Sequence, residues 1–337
     1  MEFNTVIGRN LLEEINNVAH EPFIVITMDD LWPIYKKNFA PSTKVIFVES
    51  TDKKWLDNLI LKLGNFCSII GLGGGQAIDV AKYISWKMNK PLFQFPTSLS
   101  VDAAFGHRSA VRIKNVVRYV GGSVPECVFI DLDIIKSAPI KINTAGIGDI
   151  LCFITGVMDW EYARDKGKLE KQWAYDEELA SISLSKAQAV IDEYQEIKNM
   201  TDKGIKIMID ALKWGGSSYC SSGWNPRHIE GVEHLIFYSL EYHTKKIFLH
   251  GQAVCLGIVI GSLMHKQRSE ELKNVINKIG VDIKPNSMNI DWNEVKHSLV
   301  NLKNFVEKSN LMWGISNDYV FDEKFFEEMI SKIEVKE

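Results

Sequence analysis

Apolar residues in the first part of the chain come in short runs between amphipathic stretches, the pattern of a parallel sheet covered by helices. FIVITMDD (23–30), TKVIFVES (43–50), FCSIIGLG (66–73), PLFQFPTS (91–98) and ECVFIDLD (126–133) are the expected strands. SAVRIKNVVRYVGG (109–122) alternates on either side of Lys114-Asn115, which predicts a hairpin. From about Thr144 the strand signals fade, and stretches such as 176–200 space their apolar residues at helical intervals. The pattern predicts an α/β domain over residues 1–142 and an all-α domain over 143–337, with a binding cleft between them.

Composition narrows the class without changing that layout. The chain has 337 residues, 46% hydrophobic and 24% charged, which fits two folded domains and excludes disorder. A net charge of −4 with no basic tail argues against nucleic acid as a partner. The longest apolar stretch, AVCLGIVIGSLM (253–264), is shorter than the ~20 residues a bilayer needs, so no membrane insertion is expected. MEFNTVIGRNLLEE has neither the basic nor the apolar region of a signal peptide. Five scattered cysteines without a CxxC suggest neither a disulfide framework nor a cysteine zinc site, and point to a reducing, cytoplasmic setting. The charged segment 164–178 reads as a solvated helix face or loop.

Candidate chemistry begins at GLGGGQAIDVAK (71–82), where a strand runs into a helix. Gln76 stands where the G-x-G-x-x-G fingerprint needs glycine, and the P-loop pattern fails at the same residue. The physics survives the failed patterns. Gly73, Gly74 and Gly75 let backbone N–H groups face an anion, beside the positive end of the helix that starts near Gln76. The alternative is a tight turn that needs positive φ. In PTSLSVDAAFGHR (96–108), Thr97, Ser98 and Ser100 offer hydroxyls at the carboxyl end of a strand, although a capped turn explains them equally well.

The second half supplies possible metal ligands. GIGDI puts Asp149 at a helix start, GVEHL puts His234 on a helix, and FLHGQAV puts His250 at the head of the apolar helix. One carboxylate and two imidazoles suit Zn²⁺ or Fe²⁺ and leave a position open for substrate. Taken singly, Asp149 could be an N-cap and each histidine a hydrogen-bonded core residue.

GLGGGQAIDVAK, FPTSLSVD, GIGDI, EGVEHL and LHGQAV, in this order, resemble the iron-containing alcohol dehydrogenase and dehydroquinate synthase superfamily. Within it the chain looks most like the sn-glycerol-1-phosphate dehydrogenases. The resemblance implies a Rossmann-like first domain and metal-dependent, NAD(P)-linked reduction of a small phosphorylated ketone, of the dihydroxyacetone phosphate to glycerol 1-phosphate type. By the same resemblance, Gly73, Gly74, Gly75 and Gln76, with Asp79 behind them, would hold the pyrophosphate of NAD(H) or NADP(H). Thr97, Ser98 and Ser100 would line the nicotinamide side, while Asp102, with Arg108 after it, would meet the substrate. Asp149, His234 and His250 match the family's metal ligands. Asp29 or Asp30, at the end of the first full strand, would accept from the adenosine ribose and favour NADH over NADPH.

Departures from the family pattern sort its branches. Phe153 stands where iron-dependent members have a further histidine, so zinc is preferred to iron. DILCF replaces the EVIKY-like segment of the dehydroquinate synthases, which puts a carbocycle-forming lyase that uses NAD transiently second, ahead of another polyol dehydrogenase. Tyr238, Glu230, Val232 and Gly106 differ from the glycerol-1-phosphate branch around the substrate. The resemblance also implies a homo-oligomer acting on a small molecule.

Overall fold

The computed structural model describes residues 4–334. Among the described residues six strands form one sheet, in the order β1-β8-β5-β4-β2-β3. They are β1 (Thr5–Gly8), β2 (Phe23–Thr27), β3 (Lys44–Phe47), β4 (Ser68–Gly73), β5 (Leu92–Pro96) and β8 (Cys127–Asp131), and every pairing is parallel. β6 (Ser109–Ile113) and β7 (Val116–Val120) make the expected antiparallel hairpin. Its turn holds Lys114 at φ 53° and Asn115 at φ 62°, the two consecutive positive values of a type I′ turn.

Four of the central strands are buried along their whole length, as a sheet covered on both faces requires. Phe23 and Val25 of β2 face one core, with Ile70, Leu72, Phe93, Phe95 and Phe129. Ile24 and Ile26 face the other, with Ile69, Leu92 and the inner side of the helix Gly75–Met88. Strand β1 departs from expectation: TVIG is too short and too polar at its flanks to read as a strand, yet it pairs with β8 from Thr5↔Val128 to Gly8↔Asp131. Backbone pairing to an already formed edge, not an apolar pattern, makes it a strand.

The chain divides into two compact units. One runs up to Asn143 and includes Gly216–Ser221; the other comprises Thr144–Gly215 and the chain from Ser222 onward. All the described strands lie in the first unit, and the second is helical. Its buried centre is built on the helices Gly148–Asp165, Val232–Thr244 and His250–His265. Among the described residues the helical stretch Ile140–Asp165, not 253–264, is the one long and apolar enough to cross a membrane by length and composition, and 83% of its apolar window is buried inside the protein.

The charged segment 164–178 is mostly exposed, as expected for a solvated face or loop, and a few of its side chains anchor it to the protein. Glu170 forms an ion pair at 2.6 Å with Arg227, whose side chain is buried, while Leu169 and Tyr175 pack against Trp160. A buried guanidinium requires such a partner, and Arg227 Nη1 also donates to the Trp313 carbonyl at 2.7 Å.

Candidate functional site

In the first unit, β2 leads outward to β3 while β4 leads the opposite way to β5, so the strand order reverses between β2 and β4. Open α/β sheets bind ligands at the carboxyl ends of such a pair. Exposed Asp29 and Asp30 follow β2 there, and Gly73 ends β4, with Gly74 and Gly75 leading into the next helix. Gly73 takes φ 150°, and a Cβ on it would meet Ala77 Cβ at 2.9 Å. A Cβ on Gly75 would meet Val101 Cγ1 at 2.6 Å. Gly74 is different. Its backbone is extended (φ −79°, ψ −172°), and a Cβ there would find only Ser98 Oγ, at 3.7 Å. Neither strain nor packing demands glycine at 74, whereas close approach of a ligand to the backbone would.

Gly74 caps the helix Gly75–Met88, whose first turn includes Gln76, so the unsatisfied N–H groups of that turn face the loop. Thr97 N donates to the Gly73 carbonyl at 3.0 Å and brings the segment after β5 alongside. Thr97 and Ser100 are buried, and Ser98 Oγ and Ser100 Oγ lie 3.4 Å apart. Asp79 points inward to Lys82, with Nζ at 2.9 Å. Lys82 Nζ in turn donates to the Arg108 carbonyl at 2.6 Å, tying the glycine-loop helix to the segment that carries Asp102 and Arg108. Asp102 opens a short 3₁₀ turn, Asp102–Phe105, and the Arg108 guanidinium donates to Tyr219 Oη at 3.1 Å.

In the second unit, three helix starts converge. Asp149 is the second residue of Gly148–Asp165, whose N-cap is Ile147 without a side-chain cap, so Asp149 is not the N-cap. His234 is the third residue of Val232–Thr244, and His250 opens His250–His265. Their ligand atoms all lie within 4.8 Å of one another. His250 Nε2 is 2.8 Å and His234 Nε2 3.9 Å from Asp149 Oδ1. Asp149 and His234 are buried, but the His250 side chain keeps 23% of its exposure, so the cluster is open on one side.

Glycine contacts set this geometry. A Cβ on Gly148 would overlap the Gly251 carbonyl, and one on Gly257 would overlap the Glu233 carbonyl. A Cβ on Gly156 would lie 3.0 Å from Glu230 N. The Asp149, His234 and His250 helices therefore touch backbone to backbone beside each ligand, closer than any side chain would permit.

Nothing in the sequence singles out Glu233, the residue before His234. It is fully buried, and its Oε1 accepts from His234 Nδ1 at 2.8 Å and Gly231 N at 2.7 Å. A carboxylate on one ring nitrogen of histidine fixes the tautomer that offers the other to a metal. Tyr238 Oη donates to Glu230 Oε1 at 3.0 Å, and its ring lies 6.0 Å from that of His234. The Phe237 ring packs edge-on against His250 at 4.7 Å. Burial raises the Glu230 carboxyl above the ordinary range. Burial opposes protonation of His234 as well, but the Glu233 hydrogen bond and the charges of Glu230, Glu233 and Asp149 outweigh it and carry its pKa up to about 9. The pocket is thus electrostatically prepared for a cation. A hard carboxylate with two imidazoles and an open side suits a divalent metal.

Dehydrogenases and reductases are among the solved structures that share this architecture. They include a probable glycerol dehydrogenase from Sinorhizobium meliloti (TM-score 0.74, 13% identity, 98% of this chain and 96% of that one). Another is the sulfoacetaldehyde reductase of Bifidobacterium kashiwanohense in complex with NAD+ (TM-score 0.70, 12% identity, 99% and 98%). A family model described as iron-containing alcohol dehydrogenase matches residues 40–139. The glycerol-1-phosphate dehydrogenase [NAD(P)+] of Pyrococcus horikoshii is 30% identical over 310 residues, 86% of this chain and 87% of its own length. That of Aeropyrum pernix is 31% identical over 231 residues, 68% and 64%. The chain belongs to the glycerol-1-phosphate dehydrogenase family, within the iron-containing alcohol dehydrogenases.

Proposed function

We propose that the protein reduces dihydroxyacetone phosphate to glycerol 1-phosphate with NAD(P)H, using a divalent metal held by Asp149, His234 and His250. The observation that carries the reading is the convergence of these three side chains at the starts of three helices, on a chain whose relatives bear that activity in their names. Family membership favours the dehydrogenase over the carbocycle-forming lyase. The donor set suits zinc or iron; zinc is favoured because Phe153, a buried side chain that cannot ligate, stands where the iron-dependent members have a further histidine. When bound, the metal supplies a Lewis acid for the ketone oxygen, and the nicotinamide supplies the hydride.

The chain's own residues bind and orient. Glu233 holds the His234 ring so that Nε2 faces Asp149. Gly73, Gly74, Gly75 and Gln76 take the cofactor pyrophosphate, with Asp79 bracing the same helix through Lys82. Thr97, Ser98 and Ser100 line the nicotinamide side. Asp29, exposed beyond β2, accepts from the ribose and repels a 2′-phosphate, which favours NADH. Asp102, Arg108 and Tyr238 contact the substrate, the first holding its hydroxyls near attack geometry. Catalysis occurs in the cytoplasm, in keeping with five unbridged cysteines, and the enzyme self-associates.

The test is a spectrophotometric comparison of NADH and NADPH oxidation with dihydroxyacetone phosphate, dihydroxyacetone and simple ketones, in the presence of Zn²⁺. The reading expects net oxidation of NADH, fastest with the phosphorylated ketone. Turnover confined to unphosphorylated ketones would refute the substrate assignment.

A further inference from the structure

We propose that the second unit carries an additional, inner metal seat formed by Cys152, Glu233 and His234, suited to a thiophilic divalent ion such as zinc or cadmium. The three offer a sulfur, a carboxylate oxygen and an imidazole nitrogen, all within 4.8 Å of one another and all buried. Cys152 lies three residues beyond Asp149 on one helix, so both side chains occupy the same helical face. Its Sγ donates to the Ile229 carbonyl at 3.0 Å, a bond the thiol gives up on ionising.

Glu233 provides the independent observation. Its Oε1 serves Gly231 N and His234 Nδ1, but Oε2 is buried with no hydrogen-bond partner among the described residues. A carboxylate oxygen left so in a low-dielectric interior is costly, and a bound cation is one of the few groups that satisfies it. Thiolate, carboxylate and imidazole together form a softer set than Asp149, His234 and His250. Because His234 belongs to both sets, the two seats compete for it. The pocket thus offers a harder outer set and a softer inner one.

The experiment titrates metal-free protein with Cd²⁺, following the thiolate-to-cadmium charge-transfer band and counting bound cadmium. His250→Ala, which dismantles the outer set, keeps the inner seat and is expected to show the band with one equivalent of tightly held cadmium. Adding Cys152→Ser, or separately Cys152→Ala, to that variant should remove both, with circular dichroism confirming that the proteins remain folded. Absence of the band in His250→Ala, or a band that either second substitution leaves unchanged, overturns the inner seat. The readout is independent of ketone reduction, so that result leaves the proposed activity standing.

Discussion

A methyl group on Gly73 or Gly75 would press on Ala77 or Val101, whereas one on Gly74 would meet only Ser98 Oγ. The three neighbours therefore separate cofactor binding from folding. Gly74→Ala is expected to keep the thermal midpoint near wild type while weakening NADH at least tenfold, about 1.4 kcal/mol, by fluorescence titration. His228 couples stability to pH. It is fully buried between Trp160 and Trp214, with ring centroids at 6.3 Å, and burial pushes its pKa down to about 3. The unfolded chain takes up that proton near pH 6.5 and the folded chain only near 3. His228 should therefore lower stability as pH falls through that window, by up to about 1.4 kcal/mol per unit. Urea unfolding of wild type and His228→Gln across pH 4–7 measures the difference between their slopes. Parallel slopes would contradict the assignment.

Helix contacts set the spacing of Asp149, His234 and His250, the proposed metal ligands. Gly257 lies against the Glu233 carbonyl, so Gly257→Ala should push the His250 and His234 helices apart. The expected cost is about 1–3 kcal/mol from overpacking, with weaker metal binding measured by chelator competition. Unchanged metal affinity would show that the close approach is not what aligns the ligands. The central strands were legible because buried parallel strands are nearly continuous apolar runs, and the hairpin because Lys114-Asn115 interrupts an alternating pattern. The structure trims the expected strands, since FIVITMDD ends as a strand at Thr27 and Asp29 lies in the turn beyond. Strand β1 was not legible because an edge partner creates it. Asp149, His234 and His250 could be named through family resemblance, but spacing gave no hint that Glu233 would turn toward His234 or that Glu170 would reach Arg227. Such pairings depend on how distant segments pack.

At the scale of the whole molecule, the first unit supplies a glycine loop where strand order reverses, and the second supplies a carboxylate with two imidazoles. Each feature has a local explanation: the open space at Gly74, and the burden of Asp149, Glu230 and Glu233 that draws a proton onto His234. In a chain of the glycerol-1-phosphate dehydrogenase family, these features are the basis for proposing metal-assisted hydride chemistry on a small ketone. The most direct measurement is metal content and dihydroxyacetone phosphate-dependent NADH oxidation on the same preparations of wild type and His250→Ala, with NADH binding followed in parallel. Wild type should carry at least one firmly held divalent ion and turn over. His250→Ala should lose catalysis by a factor of at least about a thousand, as expected when a Lewis acid worth several kcal/mol is removed, while still binding NADH. Full turnover by His250→Ala, or by wild-type protein stripped of metal, would contradict the account.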